Sequence, residues 1–209
     1  MERFLRLFLS FNLLLFLSLS CKTYELDAAT EVKNETSTFE NLYFSSSEDL
    51  VYKANFEVYR NTFSGILVLK KISENTHRAA LTTDFGNKLM DFEISGENFK
   101  INYIAPDLDK KMIKNFIKKD FSLLLKKDFP ISKTFTAKAE KIYLSKSGKT
   151  SFFWMVSSNT FLPKQMNYVV NGREKINFIF ESKTPIFADK IEISHHDFKI
   201  KIILNKLTL

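Results

Sequence analysis

The chain has 209 residues, a formal net charge of +7 and a single cysteine. One cysteine excludes a disulfide within the chain, so the fold has to rely on an apolar core. With only five glycines and no Gly-rich sequence ending in Lys-Ser or Lys-Thr, the chain also lacks the phosphate loop of nucleotide-binding enzymes.

The first residues have the three parts of a secretion signal. Arg3 and Arg6 form the charged part, and an apolar run from Leu7 to Leu19 ends shortly before Cys21. A transmembrane helix needs about 20 predominantly apolar residues, and this run is shorter and is followed by polar residues. We therefore predict a cleaved signal peptide at residues 1–20 and a protein outside the cytoplasm, where a nucleic-acid partner is not expected.

The sequence Leu17-Ser18-Leu19-Ser20-Cys21 resembles the lipobox of bacterial lipoproteins. The resemblance implies that the thiol of Cys21 receives a diacylglyceryl group and anchors the protein to a membrane. Ser18 departs from the pattern, because leucine is usual at that position. Lys22 stands where the inner-membrane retention signal of enteric bacteria has aspartate, which favours the outer membrane. The alternatives are an ordinary secretion signal with a chance cysteine, or a buried thiol of a cytosolic protein.

Residues 21–50 are interpreted as the lipidated N-terminus and a flexible tether. From Lys22 to Ser47 the chain is rich in Thr, Glu, Asn and Ser and lacks sustained periodicity. One ordered patch is expected around Phe39 to Phe44. The remaining residues, 51–209, are predicted to form a single domain.

From Val51 onward, short runs alternate apolar and polar residues, which is typical of antiparallel strands with one buried face. Asn171-Gly172 between two such runs is a strong hairpin signal, because both central residues of a type I′ turn need positive φ. The alternation predicts eleven strands, at 51–59, 62–73, 77–85, 88–95, 98–104, 139–145, 149–157, 164–170, 174–182, 187–194 and 197–207.

The middle of the chain, from Leu108 to Lys127, is predicted as one amphipathic helix. Asp107 is placed to cap it, and Lys126 and Lys127 fall in its last turn, where the helix dipole favours cations. A single helix between five and six strands argues against a parallel α/β fold. The apolar positions of the helix recur at spacings of three, four and five: Leu108, Met112, Ile113, Phe116, Ile117, Phe121 and Leu124.

The expected fold is mainly β: an antiparallel, strongly curved, incomplete β-barrel with the helix as a lid. Bulky rings pack a concave surface imperfectly, so an apolar cavity that accepts an acyl chain is expected between the sheet and the helix. The alternative is that these side chains fill a closed core. The candidate cavity residues are Leu67, Leu69, Phe92, Met112, Ile113, Phe116, Phe152, Trp154, Phe178 and Phe180.

The lipobox, the order of strands and helix, and the stretch from His77 to Glu93 together resemble the LolA and LolB proteins, a family of lipoprotein carriers and outer-membrane receptors. The resemblance implies an incomplete eleven-stranded barrel with a helical lid over an apolar cavity. It also implies a lipid-anchored protein at the outer membrane, facing the periplasm, with a periplasmic carrier protein as a candidate partner. Mycobacterial lipid-carrying lipoproteins use a similar half-barrel, so the implied cargo is acyl chains of lipoproteins or of lipids.

In the receptor branch of that family, one loop carries an exposed hydrophobic residue just before a glycine. Phe85-Gly86 falls at that place, with Leu89 close by. The resemblance implies that Phe85, Gly86 and Leu89 contact the membrane or the cargo. The alternative is that Phe85 is the last buried residue of its strand. The predicted helix lacks the Trp and Leu-Pro elements usual in the receptors.

No arrangement of residues points to catalysis, a metal or a cofactor. His195-His196 is the only notable pair of imidazoles, and adjacent residues on a strand point to opposite faces, so the pair is not expected to chelate one ion. We interpret it as a turn or surface pair. No Gly-x-Ser-x-Gly sequence occurs, and the carboxylates are scattered. The prediction is a non-enzymatic, acyl-binding lipoprotein, and the alternative is an assembly lipoprotein with a closed core.

Overall fold

Alternation of apolar and polar residues produces a large antiparallel sheet in the computed structural model, which describes residues 23–207. Thirteen of the strands in this range form one sheet, and two short strands form a second. The predicted signal peptide and Cys21 lie outside the described residues. The first strands are β1 (Thr30–Val32), β2 (Thr38–Glu40), β3 (Leu50–Val58), β4 (Asn61–Ser73), β5 (Thr76–Thr82), β6 (Lys88–Ser95) and β7 (Asn98–Ile104).

A short 3₁₀ turn, Pro106–Leu108, and the helix α1, Lys111–Leu124, separate these strands from the rest. The later strands are β8 (Asp128–Pro130), β9 (Lys133–Ala137), β10 (Glu140–Ser147), β11 (Thr150–Ser157), β12 (Pro163–Val170), β13 (Arg173–Glu181), β14 (Lys190–His195) and β15 (Ile200–Lys206).

The large sheet has the order β1-β9-β10-β11-β12-β13-β14-β15-β3-β4-β5-β6-β7, and β2 pairs with β8. Strands β1 and β7 are its two edges, so the sheet is open and not closed into a barrel. This agrees with the expected mainly β fold with one helix. The predicted number of strands is too low, because β1, β2, β8 and β9 have only three to five residues, too few for an alternating pattern to be visible.

The polar N-terminal segment that resembles a flexible tether in composition packs on the sheet. Strand β1 pairs with β9, and β2 pairs with β8. Within the patch expected around Phe39 to Phe44, Asn41, Tyr43 and Phe44 are buried. The amide of Asn41 donates to the carbonyls of Leu124 and Lys126 at 2.9 and 3.2 Å. A few buried side chains therefore order a stretch whose average composition is that of a linker.

The helix, Lys111–Leu124, is shorter at both ends than the predicted range from Leu108 to Lys127. Asp107 does not cap it: the N-cap is Lys110, no side chain caps the helix, and Asp107 lies in the preceding 3₁₀ turn. Pro106 begins that turn, since its fixed φ suits the first residues of a helical turn. Lys126 and Lys127 follow the last helical residue instead of lying in the last turn.

The core lies between α1 and the face of the sheet that it covers. Phe121 and Leu124 of the helix are fully buried. Phe121 contacts Phe92 edge to face, with ring centroids 5.3 Å apart, and Trp154 stacks on Phe180 at 5.7 Å. Full burial of each such side chain is worth roughly 1.5–3 kcal/mol, so the buried Phe121 and Leu124 hold the helix on the sheet. None of the helices in residues 23–207 is long and apolar enough to cross a membrane.

Four turns of the sheet lie side by side at one end of its strands. They follow β12, β14, β3 and β5, which are every second strand in this part of the sheet. Because neighbouring strands are antiparallel, these four run in the same direction and end on the same side. The backbone N–H of Tyr59 donates to the carbonyl of Lys199 at 2.7 Å, which joins two of the turns directly. We call these four turns, at 171–172, 196–199, 59–60 and 83–87, the Phe85 rim.

Candidate functional site

An apolar groove of about 670 Å³ lies beside the first half of α1. Ligand pockets in proteins typically have volumes of roughly 300–1,000 Å³, so the groove is large enough for a small molecule or a hydrocarbon chain. Helix residues form one wall, and the strands from β12 to β15 form the other. The lining residues are Lys111, Met112, Asn115, Phe116, Lys119, Tyr168, Lys175, Ile176, His195, Asp197, Phe198 and Ile200.

Helical and strand periodicity together produce the apolar walls. Met112 and Phe116 are four residues apart and share one face of α1. Ile176 and Ile200 are buried residues of their strands that point to the face of the sheet under the helix. Met112 and Phe198 both line the groove and are 43% and 53% exposed. They form an open apolar lip at the Phe85 rim.

A buried carboxylate and an imidazole meet next to the groove. His195 Nε2 lies 2.9 and 3.0 Å from the two carboxylate oxygens of Asp120, and the side chain of Asp120 is completely buried. Burial raises the pKa of Asp120, and the hydrogen bond with His195 partly opposes that shift. The pair fastens α1 to β14.

The predicted surface pair of histidines is therefore half wrong. The two imidazoles do point to opposite faces, as expected for neighbours on a strand. His196 is on the surface, with Nε2 3.2 Å from Glu174 Oε1, whereas the side chain of His195 is only 7% exposed and contacts Asp120. Across residues 23–207, no three His, Cys, Asp or Glu side chains are placed to share a metal ion.

A second, more polar hollow of about 840 Å³ lies along the other side of the helix. Five lysines line it, together with three carboxylates: Lys71, Lys118, Lys119, Lys126, Lys127, Glu74, Glu97 and Asp128. We call it the lysine-lined hollow. Asn115, Lys119 and Tyr168 line both this hollow and the apolar groove, so the two spaces adjoin. Lys119 Nζ donates to the Tyr168 hydroxyl at 2.7 Å and lies 4.1 Å from its ring centroid.

The structure places the ten predicted cavity residues in three different environments. Met112 and Phe116 line the apolar groove, and Phe152 lines the lysine-lined hollow. The other seven lie among buried core residues and line neither space: Leu67, Leu69, Phe92, Ile113, Trp154, Phe178 and Phe180. These seven residues fill a closed core, as the alternative interpretation expects.

Sequence reasoning missed Tyr168, Ile176, His195, Phe198 and Ile200 as groove residues. Ile176 has the same alternation phase as Phe178, and Ile200 has the same phase as Ile202. No local pattern distinguishes a residue that lines the apolar groove from its neighbour in the packed core. Only the position of each strand relative to α1 makes that difference.

Phe85 projects from the rim and is 94% exposed, so the alternative that it is buried in its strand is wrong. Strand β5 ends at Thr82, and a tight turn follows in which the N–H of Gly86 donates to Thr83 O at 3.0 Å. Gly86 has φ +84°, a conformation that glycine adopts without strain. Leu89 differs from Phe85, because it is partly buried against the core.

Two further exposed aromatic side chains occupy the same rim. Tyr59 and Phe198 are 49% and 53% exposed, and Phe198 also lines the apolar groove. The start of the described chain reaches this rim as well, because the N–H of Tyr24 donates to Gly172 O at 2.6 Å. The rim therefore unites the lip of the groove, three exposed aromatic rings and the N-terminal end of the described chain.

No protein-family model and no curated protein matches the sequence, but the structure is similar to several solved structures. A LolA superfamily protein from Nitrosomonas europaea is similar with a TM-score of 0.54 at 8% identity, over 80% of this chain and 87% of that chain. An outer membrane lipoprotein-sorting protein domain from Vibrio parahaemolyticus gives 0.49 at 10% identity, over 78% and 85%. A DUF1329 family protein from Desulfovibrio piger gives 0.44 at 9% identity, over 79% and 86%. The first of these likenesses gives the chain a LolA-like fold.

Proposed function

We propose that this protein with a LolA-like fold binds the acyl chains of lipids or lipoproteins in the apolar groove while it is anchored to a membrane through Cys21. The groove itself carries the proposal: about 670 Å³ with mainly apolar walls, and an open lip formed by Met112 and Phe198. Water molecules in such a groove form few hydrogen bonds with its walls, whereas a hydrocarbon chain removes those apolar walls from water. The fold and the groove support a carrier or receptor, not an enzyme.

The energetics favour reversible binding. Each methylene buried from water contributes about 0.8 kcal/mol, whereas a single myristoyl chain holds a protein on a bilayer only marginally. A groove that covers most of one chain therefore competes with the membrane without trapping its cargo. Exchange in both directions is what a carrier or receptor of acylated cargo requires.

The position of the lip supports transfer at a membrane surface. Cys21 is only three residues before Tyr24, whose N–H bonds to Gly172 on the Phe85 rim. An extended chain covers at most about 3.5 Å per residue, so a lipid on Cys21 would lie within roughly 10 Å of Tyr24. We infer that the rim faces the membrane, with Phe85 and Tyr59 among the headgroups and the groove lip next to them. The envelope compartment we propose is the periplasmic face of the outer membrane.

A substitution at the lip tests this function. Met112→Glu places a carboxylate at the groove entrance, where burial of its charge by an acyl chain is unfavourable. Because Met112 is 43% exposed, the variant is expected to fold. Ile72→Glu is the matched control, since Ile72 is 52% exposed and does not line the groove.

The measurement is native mass spectrometry of the full chain in detergent, with dipalmitoylglycerol as the added probe. We expect the wild-type protein and Ile72→Glu to retain the bound lipid, and Met112→Glu to lose most of it. A protein that binds no acyl chain in any of the three forms would favour the assembly lipoprotein. Equal binding by all three would place the acyl site outside the groove.

A further inference from the structure

The lysine-lined hollow has a charge arrangement that the acyl-binding groove does not explain. Of the twenty lysines elsewhere in residues 23–207, ten form ion pairs with carboxylates and ten do not. Within the same range, no carboxylate lies within ion-pair distance of any of the five lysines that line the hollow, although Glu74, Glu97 and Asp128 also line it. Unpaired cations thus converge on one concave space.

Three of these ammonium groups are held in place by neutral partners, which do not offset their positive charge. Lys119 donates to the Tyr168 hydroxyl at 2.7 Å, and Lys71 donates to Ser45 O at 3.1 Å. Lys126 lies 5.0 and 5.2 Å from the ring centroids of Phe129 and Phe152. An ammonium has three N–H donors, so each group keeps donors for a ligand. Fixing these flexible side chains in advance lowers the entropy that binding an anion would cost.

One polar atom in the wall of the hollow also lacks a partner. Ser122 Oγ is buried and forms no hydrogen bond with any described residue. A buried hydroxyl without a partner costs roughly 1–3 kcal/mol, so a ligand oxygen that bonds to it would recover that energy. Ser122 lies on α1, as do Lys118 and Lys119.

From these contacts we infer that the cargo is an anionic amphiphile, with its phosphate in the lysine-lined hollow and its acyl chain in the apolar groove. The two spaces meet at Asn115, Lys119 and Tyr168, so one molecule spans both across the Lys119–Tyr168 contact. Lysine binds phosphate as a point charge and tolerates varied headgroup geometry. This inference rests on the proposed function and specifies its substrate class: phospholipid in preference to uncharged acyl cargo.

The test compares three probes with the full chain in detergent by native mass spectrometry: dipalmitoylphosphatidylglycerol, dipalmitoylglycerol and inorganic phosphate. The first two have the same tails and differ in the phosphate-bearing head. We expect the phospholipid to bind about tenfold more tightly than the diacylglycerol at low salt, and the difference to shrink as salt screens the lysines. Equal affinities would overturn the inference while leaving acyl binding intact, whereas no binding of either lipid would refute the proposed function itself.

Variants locate the headgroup. Lys118→Gln with Lys126→Gln is expected to reduce phospholipid binding about fivefold or more and to leave diacylglycerol binding unchanged. Lys100→Gln with Lys183→Gln is the control, because both lysines are exposed and line neither space. Lys118→Gln alone keeps the contacts of Lys126 with its two rings and guards against a folding defect. Loss of binding in the control pair, or displacement of the phospholipid by an equal concentration of inorganic phosphate, would contradict the inference.

Discussion

His195 Nε2 lies 2.9 Å from Asp120 Oδ1 and 3.0 Å from Oδ2, and this pair joins the helix to the sheet next to the apolar groove. Asp120 is completely buried, and its two carboxylate oxygens share the same imidazole nitrogen. A buried carboxylate without such a partner is strongly unfavourable. The pair therefore fixes where α1 crosses β14, and with it the width of the groove.

Asp120→Asn is expected to change how stability depends on pH. Burial raises the pKa of Asp120 above its ordinary value of 3.8, so the contribution of this group to stability is present below that value and lost as pH rises through the raised pKa. Asparagine does not ionise. The free energy of unfolding of the wild-type protein, relative to Asp120→Asn, should therefore fall as pH rises from the acid range towards neutrality. Urea denaturation of both proteins at several pH values measures this, and a relative stability that increases with pH would refute it.

The long elements of this fold could be predicted from sequence because their periodicity is repeated many times. Strands such as β13 and β15 alternate over seven to nine residues, and the apolar stripe of α1 spans several turns. Strands β1, β2, β8 and β9 could not, because three to five residues show no pattern. The β1–β9 and β2–β8 pairs join residues about 90 to 106 positions apart, such as Phe39 with Phe129 and Thr30 with Thr136, whereas β9 also pairs with its neighbour β10.

The candidate site was harder to predict than the fold. Phe178 and Ile176 alternate in the same phase, yet Phe178 is in the packed core and Ile176 lines the groove. His195 looks like half of a surface pair, because its partner Asp120 is 75 residues away on the helix. The groove exists because of the way the helix crosses the strands. That crossing depends on packing between residues far apart in the sequence, so no single stretch of sequence predicts it.

Asp91 provides a prediction for acid conditions. Arg78 donates to both of its carboxylate oxygens at 2.9 and 2.7 Å, and these hydrogen bonds lower the pKa of Asp91 to about 2. A lowered pKa stabilises the folded protein above the ordinary carboxyl value, and this stability is lost as pH falls through about 2. Asp91→Asn should therefore reduce the free energy of unfolding by on the order of 2 kcal/mol at neutral pH and by little at the acid end.

Asp49→Asn is the control for that experiment. Asp49 also pairs with a cation, Lys70, at 3.3 Å, but both side chains are largely exposed. Exposed ion pairs contribute roughly 0–1 kcal/mol, so this variant should change stability slightly at every pH. If urea denaturation at neutral pH shows that Asp91→Asn and Asp49→Asn lower the free energy of unfolding equally, the contact between Asp91 and Arg78 does not contribute to stability.

Thr134→Val is expected to stabilise the protein. Thr134 is buried on β9, and its hydroxyl forms no hydrogen bond with any residue between 23 and 207. Valine has nearly the same shape, suits a strand and removes the unpaired polar group, so a gain of about 1 kcal/mol is expected. Thr136→Val, at an exposed position of the same strand, should change stability by less than about 0.5 kcal/mol. A loss of stability in Thr134→Val, measured by thermal unfolding, would mean that the hydroxyl has a bonding partner.

Phe85→Glu should separate membrane contact from folding. Phe85 is 94% exposed, so replacing it should change the free energy of unfolding by less than about 0.5 kcal/mol. Burial of a phenylalanine ring in a membrane is worth roughly 1.5–3 kcal/mol, so losing it should weaken binding to vesicles by at least about tenfold. The measurement is vesicle sedimentation in a Cys21→Ser background, where no lipid anchor masks the contribution of the ring.

Phe161→Glu is the matched control for Phe85→Glu, because the two changes are chemically identical and differ only in place. Phe161 is 76% exposed and lies in the turn between β11 and β12, at the opposite end of the strands from the Phe85 rim. If the rim faces the membrane, Phe161→Glu should bind vesicles as strongly as the Cys21→Ser protein, and only Phe85→Glu should bind them more weakly. Equal loss in both variants would mean that added negative charge alone repels the membrane, and equal retention would mean that the rim does not face it.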